Sequence, residues 1–216
     1  YAQRELEKIQ QERDCGLVEG NHRAVQPFAT WRGILFQEYL QGLTLQDTLA
    51  VRKSQPGMLV PRLEGAAGLL AILHARGVQT DEIPRFEPAV DYGFEVIDNL
   101  AKYGVLQDDP IARDGLRRLV KAWAERPQMA EFTPTLIHGD ATTTNFVFPW
   151  RGGTVAVDWE QLHAGDPASD LGRLMAEVAH STARHGGNGE EGEAFLQVLI
   201  DAYRGALAPT WDAGVL

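Results

Sequence analysis

Three polar residues stand next to short apolar runs in the second half of the chain: Asp140, Asn145 and Asp158. The apolar runs at 146–148 and 155–157 are joined by a segment rich in Pro and Gly, which is typical of a β-hairpin. All three side chains are therefore expected in loops beside strands, where rigid scaffolds present functional groups.

These oxygen-bearing side chains suit the transfer of a phosphoryl group from a magnesium-bound nucleotide to a hydroxyl. That reaction needs a carboxylate to orient the attacking hydroxyl, and ligands that hold Mg²⁺ against the phosphate oxygens. Asp140 is the candidate catalytic base. Asn145, from the same loop, and Asp158, from the end of the hairpin, are the candidate metal ligands.

Each of these residues alone has a simpler explanation, since Asp and Asn are common in turns and at strand ends. The order and spacing of all three together favour the functional interpretation. His138 is expected to order the backbone of the loop by hydrogen bonding, without a catalytic role.

The motif His-Gly-Asp at 138–140, with Asn145 and then Asp-Trp-Glu at 158–160, resembles the catalytic and metal loops of the aminoglycoside phosphotransferase and choline kinase-like family, relatives of protein kinases. The resemblance implies an α+β, protein-kinase-like fold, mostly the helical C-terminal lobe with a small catalytic β-hairpin. Residues 1–40 would be a remnant of the N-terminal lobe, and residues 41–216 the helical lobe. Protein kinases usually carry Arg in place of Gly139, so the small-molecule branch fits better.

A second segment, Gly-Asp-Pro-Ala-Ser-Asp-Leu at 165–171, is also similar to a segment of this family. Asp166 is predicted to cap a helix that has Pro167 at its first position. The resemblance implies that Asp170 braces the catalytic loop. Glu160 and Asp166 are candidate acidic contacts to an amine of the acceptor.

The segment 33–42 resembles the last strand of a kinase N-terminal lobe and the hinge that follows it. There, backbone groups around Glu38, Tyr39 and Leu40 would hydrogen-bond the adenine of the nucleotide. Residues 1–9 resemble the regulatory helix of kinases, in which Glu5 would pair with a nucleotide-anchoring lysine. The alternatives are an ordinary strand before a turn, and a solvated glutamate on a charged helix.

The lysine and the glycine-rich loop that hold nucleotide phosphates in kinases are not found in this sequence. Its lysines are Lys8, Lys53, Lys102 and Lys121, none of which precedes Glu5. We expect the sequence to be a fragment of a longer protein, an expectation that its start at Tyr also favours. As a complete enzyme it would be expected to bind ATP weakly and to turn over poorly.

Hydrophobic periodicity and capping residues predict several helices outside the catalytic motif. They are expected at 44–51, at 62–76, from Asp109-Pro110 to before Pro127, at 170–183 and at 191–207, with a flexible connection at 184–189. His74, within the second of these, is expected to be a packed helix histidine.

The composition indicates a soluble globular protein of one or two domains, with 44% hydrophobic residues. No apolar run approaches the roughly 20 residues that a membrane helix requires. A single cysteine, Cys15, excludes an internal disulfide and fits a reducing, cytoplasmic compartment. The net charge of −10 argues against a nucleic-acid partner and is compatible with a cationic acceptor.

The sequence thus predicts a small-molecule O-phosphotransferase that uses ATP or GTP with Mg²⁺ and acts on an aminoglycoside-like or amino-alcohol hydroxyl. The alternative is a pseudokinase, a binding module without turnover, which the missing lysine and glycine-rich loop favour. A metal-dependent hydrolase ranks last, because the 6 histidines are scattered without the spacing of metal ligands.

Overall fold

The computed structural model describes residues 2–14, 17, 20–78, 87–129 and 131–207. These residues mix α-helices with short β-strands, as an α+β fold requires. The chain forms two compact units, one of residues 1–79 with 135–216 and one of residues 80–134. The division of the chain near residue 40 remains a prediction.

The elements have the following bounds. The helices are α1 (Ala2–Asp14), α2 (Leu45–Val51), α3 (Leu59–Arg76), α4 (Glu87–Lys102), α5 (Pro110–Ala124), α6 (Pro167–Arg184) and α7 (Gly189–Leu207). The strands are β1 (His22–Ala24), β2 (Pro27–Trp31), β3 (Ile34–Gln37), β4 (Gly42–Thr44), β5 (Thr135–Ile137), β6 (Phe146–Pro149), β7 (Thr154–Ala156) and β8 (His163–Gly165).

The predicted catalytic hairpin is formed by β6 and β7. These strands pair antiparallel, with Phe146 opposite Ala156 and Val147 opposite Val155. The hairpin lies in the middle of a four-stranded sheet of order β1-β7-β6-β4, in which β1 runs parallel to β7. Because both hairpin strands have a neighbour on their outer edge, the loops at their ends are held on a rigid base.

Two further pairs of strands complete the description. The strand predicted before the hinge is β3, which pairs antiparallel with β2. The predicted catalytic loop, residues 138–145, follows β5. This strand pairs antiparallel with β8, and an isolated bridge joins Val78 to Thr135. The catalytic loop therefore leaves a paired strand at one end and enters another at its other end.

The helix starts that were predicted from a capping residue agree with the structure, whereas α3 begins three residues before the predicted residue 62. Thr44 and Asp47 form a reciprocal capping box at the start of α2. The carboxylates of Asp109 and Asp166 accept backbone N–H bonds at the starts of α5 and α6, each followed by Pro at the first helical position. By contrast, α4 was not predicted.

The core of the larger unit is built around α3, which packs against α7. Five of its apolar residues at helical spacing are fully buried: Leu63, Ala66, Ala67, Leu70 and Leu73. The segment Pro56–Arg76 is also long and apolar enough to cross a membrane, but 56% of its most apolar window is buried. A core helix has the same composition, and its place in the core explains its apolar character.

Candidate active site

The catalytic loop runs from the end of β5 to the start of β6 and brings Asp140 and Asn145 into contact. The side-chain nitrogen of Asn145 donates to the backbone oxygen of Asp140, at 2.9 Å, and to its Oδ2 atom, at 3.2 Å. The two predicted functional residues of this loop therefore form one hydrogen-bonded group.

The backbone of this loop is held by Asp170, in the first turn of α6. Its carboxylate accepts the N–H groups of His138, at 2.6 Å, and Gly139, at 2.9 Å. The Nε2 atom of His74 lies 3.1 Å from Oδ2 of the same carboxylate. Asp170 is only 1% exposed. Burial opposes ionisation of Asp170, but its bonds and charge interactions with His74 and His138 outweigh burial and lower its pKa. This geometry supports the bracing role expected for Asp170.

A buried chain of polar groups continues behind Asp170. His74, packed inside α3 as expected, places its Nδ1 atom 2.7 Å from the hydroxyl of Tyr203 on α7. Burial and the negative charge of Asp170 raise the pKa of Tyr203, so its hydroxyl stays protonated. The catalytic loop is thus tied to α3, α6 and α7 through one network.

His138 is fully buried and holds the loop against the hairpin. Its Nε2 atom lies 2.9 Å from the backbone oxygen of Val157, and its Nδ1 lies 3.3 Å from the backbone nitrogen of Asp140. Burial lowers the pKa of His138, although the charges of nearby aspartates act in the opposite direction. A neutral ring that donates from Nε2 and accepts at Nδ1 satisfies both contacts. These contacts support the ordering role expected for His138.

The residue between His138 and Asp140 must be glycine. Gly139 has a φ of +79°, and a side chain there would overlap the backbone oxygen of Gln161. A left-handed backbone and the lack of space both exclude the larger residue that protein kinases carry at this position.

One contact to Asp140 was not predicted from the sequence. Arg173, on α6, donates from Nη1 to Oδ1 of Asp140 at 2.8 Å. The available signal is its position three residues after Asp170, which places both side chains on one face of the helix.

Asp158 lies just beyond β7, beside the catalytic loop. The backbone N–H of its neighbour Val157 donates to the backbone oxygen of Asn145 at 3.0 Å. Asp158 itself has a left-handed backbone, with φ 61° and ψ 63°. Among the described residues other than glycine, only Asp158 and Arg32 have a positive φ. Such a conformation is uncommon and clusters at functional sites.

The residues available to a magnesium ion are hard oxygen donors. Asn145 uses its amide nitrogen on Asp140, so its Oδ1 atom is left for a metal ion. Among the described residues this atom accepts one long bond, 3.5 Å from the Thr144 hydroxyl. Asp158 is exposed. No group of three or more His, Cys, Asp and Glu side chains suited to a metal occurs in the described part of the chain. An amide oxygen and one carboxylate nevertheless fit Mg²⁺, which keeps waters and phosphate oxygens as its other ligands.

Helix α1 packs against the turn that follows Asp158. Glu5 is half-buried, and burial together with the negative charge of Asp158 raises its pKa. Lys8, one turn further along, donates to the backbone oxygen of Glu160. The side-chain Oε2 atom of Glu160 is buried and has no hydrogen-bond partner among the described residues.

The predicted hinge residues follow β3 and differ from one another. The carboxylate of Glu38 pairs with Arg23 and accepts the backbone N–H of Gln26. The backbone N–H of Glu38 donates to the backbone oxygen of Gln26. Tyr39 is 87% exposed, whereas Leu40 packs against the core. The remaining candidate, Asp166, accepts the N–H of Ala168 as the cap of α6, and burial raises its pKa.

Solved structures of small-molecule kinases share this fold. A glucosamine kinase superposes with a TM-score of 0.68 at 15% sequence identity, over 95% of this chain and 58% of that protein. A choline kinase from Streptococcus pneumoniae reaches 0.54 at 19% identity, over 99% and 75%. An aminoglycoside phosphotransferase in complex with gentamicin reaches 0.54 at 17% identity, over 94% and 68%. These likenesses confirm the predicted kinase-like fold.

The chain spans a little under three fifths of the length of the glucosamine kinase chains. No curated protein matches it by sequence. A model of the phosphotransferase enzyme family, however, matches residues 2–214. The chain therefore belongs to the phosphotransferase enzyme family, as the resemblance of its catalytic motif predicted.

Proposed function

We propose that this protein transfers the γ-phosphoryl group of ATP or GTP to a hydroxyl of a small molecule. The observation that carries the proposal is the hydrogen-bonded pair of Asp140 and Asn145, held beside Asp158 by a backbone bond between the two loops. A carboxylate for the acceptor hydroxyl and two oxygen donors for a cation thus lie on adjoining loops, which is what phosphoryl transfer requires.

In this proposal Asp140 accepts the proton of the acceptor hydroxyl as the hydroxyl oxygen attacks the γ-phosphorus, while the bond from the γ-phosphorus to the β–γ bridging oxygen breaks and releases ADP or GDP. Asn145, through Oδ1, and Asp158 hold Mg²⁺. When bound, Mg²⁺ neutralises the charge of the phosphate oxygens. The amide nitrogen of Asn145, which contacts Asp140, keeps the base in a fixed position relative to the metal site.

The nucleotide base is assigned to the segment after β3. The backbone N–H of Glu38 is already bonded to Gln26, whereas no hydrogen bond to the backbone of Tyr39 or Leu40 is found among the described residues. Tyr39 and Leu40 are therefore the better candidates for adenine recognition. Glu5 is the candidate partner for a lysine that anchors the phosphates. One relative of this fold, a glucosamine kinase, was solved with glucosamine, ADP and inorganic phosphate.

The acceptor is proposed to be a small hydroxyl compound that carries an amine, such as an aminosugar or an amino alcohol. Glu160 supports this class because its buried Oε2 atom has no partner among the described residues, and an ammonium group would supply one. Asp166 is a second candidate contact. The single cysteine and the acidic composition support a cytoplasmic enzyme without nucleic-acid or membrane partners.

The test is the replacement of Asp140 by Asn, which keeps the shape of the side chain and removes the base. Turnover of the full chain, measured in a coupled kinase assay over a panel of amine-bearing and neutral hydroxyl compounds, is expected to fall about 10²–10⁴-fold. Binding of Mg·ATP, measured by calorimetry, is expected to persist. Asp201→Asn, at an exposed position of α7, is the matched control.

The two measurements also distinguish the alternative function. Wild-type turnover in Asp140→Asn would refute the assignment of the base. Tight Mg·ATP binding by the wild-type chain, with no transfer to any acceptor, would instead indicate a pseudokinase that acts as a binding module.

A further inference from the structure

We propose that Arg173 is a positioning residue, which holds the carboxylate of Asp140 in the orientation that phosphoryl transfer needs. This inference rests on the proposed function, in which Asp140 is the base. It assigns a role to a residue outside the catalytic motif, on the helix behind the loop.

The contacts of Asp140 carry the first step of the argument. Its Oδ1 atom accepts a hydrogen bond from Nη1 of Arg173, at 2.8 Å. Its Oδ2 atom accepts one from the amide nitrogen of Asn145, at 3.2 Å. The last torsion of an aspartate is broad and has no sharp preference of its own. A donor on each oxygen therefore determines the plane of the carboxylate and leaves its remaining lone pairs for the acceptor hydroxyl.

The second step concerns the helix from which Arg173 projects. Asp170, Arg173 and Glu177 occupy one face of α6, at the spacing of successive helical turns. Asp170 accepts two backbone N–H groups of the catalytic loop, and Glu177 lies 3.4 Å from the hydroxyl of Thr143 in the same loop. This face therefore holds the loop at three places, and Arg173 supplies the contact to the reactive group.

The third step separates positioning from folding. The side chains of Arg173 and Asp140 are 44% and 31% exposed, and an ion pair this accessible to water contributes little to stability. The effect of removing it is therefore expected in turnover, where a small displacement of a reacting group has a large effect. Arginine also suits the task better than lysine, because its planar group has a fixed donor geometry.

The experiment compares Arg173→Gln and Arg173→Lys with the wild-type chain. In Arg173→Gln, kcat is expected to fall about 10- to 100-fold with little change in the acceptor KM or in the melting temperature. Arg173→Lys should lie between the two. Arg117→Gln is the matched control, since Arg117 on α5, 42% exposed, forms a similar pair with Asp98 on α4, 64% exposed.

A double variant tests whether Arg173 acts through Asp140. Once Asp140→Asn has removed the base, adding Arg173→Gln should cause no further loss, because residues that act as a unit are not additive. A further multiplicative loss, or a large rise in the acceptor KM, would show that Arg173 contacts the substrate and would overturn the positioning role. Wild-type kcat in Arg173→Gln would overturn it as well.

Failure of the proposed function gives a different result. If the wild-type chain and Asp140→Asn have equal rates, or neither transfers a phosphoryl group, Asp140 is not the base, and the role of Arg173 is refuted together with it. If only Asp140→Asn loses activity and Arg173→Gln does not, the proposed function stands and the inference about Arg173 alone is wrong.

Discussion

Asp170 joins the loop of the candidate site to a buried histidine. Its two oxygens accept two backbone N–H groups of the catalytic loop and one ring nitrogen, in a place that water does not reach. We expect Asp170→Ala to lower the free energy of unfolding by on the order of 3–5 kcal/mol, because it leaves buried donors without partners. Urea denaturation measures this change, with Asp201→Ala as an exposed control that should remain close to wild type.

The buried ring of His138 makes stability depend on pH. Its pKa is lowered in the folded state by burial, so between that value and the ordinary value near 6.5 the unfolded chain binds a proton that the folded chain does not. Stability is therefore complete above about pH 6.5 and falls as the pH decreases, by at most about 1.4 kcal/mol per pH unit.

The replacement His138→Gln isolates this contribution, since glutamine can donate to Val157 but does not titrate. Unfolding free energies of both proteins between pH 7.5 and pH 5 (about the range in which free histidine titrates) should converge towards low pH. His22, whose pKa burial also lowers, is present in both proteins and cancels in the comparison. Parallel curves would contradict the prediction.

The sequence predicted the residues of the site that share one local motif. Asp140 and Asn145 are five positions apart, and Asp158 follows at the end of the next hairpin strand, so short-range spacing was sufficient. Arg173 could not be found in this way. Its contact with Asp140 depends on how α6 packs behind the loop. The spacing of Arg173 from Asp170 places it on the same helix face but does not show which residue of the loop it contacts.

At the scale of elements, the ends of three helices meet around one arginine. Arg52 follows α2 and is 4% exposed. It pairs with Glu191 on α7 and donates to the backbone oxygens of Leu49 and Thr182. One guanidinium thus bonds groups from α2, α6 and α7.

We expect Arg52→Met to lower the free energy of unfolding by on the order of 2–4 kcal/mol, since the apolar chain fills space but donates no hydrogen bond. Lys53→Met is the matched control. Lys53 is the next residue and also donates to this region, at the backbone oxygen of Gly186, but it is exposed. Its loss should change stability by no more than about 0.5 kcal/mol. Equal effects of the two variants would show that burial of Arg52 does not matter.

Elements with a local signal were predicted, and those without one were missed. Thr44, Asp109 and Asp166 each mark a helix start by their own chemistry. Helix α4 has a glycine, Gly93, within it and no clear capping residue in the sequence before it. The strands β1 and β8 each have three residues, too few for an alternating pattern, and pair with distant segments.

At the scale of the whole molecule, the net charge of −10 bears on the proposed acceptor. A strongly acidic protein attracts cations over distances that salt limits to about 10 Å at 0.1 M ionic strength. If the acceptor is a cation, its KM should rise severalfold between low and high NaCl while kcat changes little. A neutral sugar acceptor of the same enzyme is the control. A KM for the cationic acceptor that is insensitive to salt would contradict this expectation.

The fold class of the whole chain could be predicted because the motif belongs to one family, and the family match over residues 2–214 supports it. The separation of residues 80–134 as a compact unit was not predicted. A helical pattern in sequence shows which face of a helix is apolar but does not show which other elements cover that face. The association of α4 with α5 therefore had to come from the structure.

The bridge between Val78 and Thr135 has a consequence for how this protein can change. It brings together the two positions at which the larger unit is interrupted, and the N–H of Leu136 donates to Gly77 at 2.7 Å beside it. An insertion whose ends are neighbours can be lengthened, shortened or exchanged without redirecting the chain on either side. The segment 80–134 can therefore change in sequence and length during evolution, while β5, the strand that leads into the catalytic loop, keeps its position.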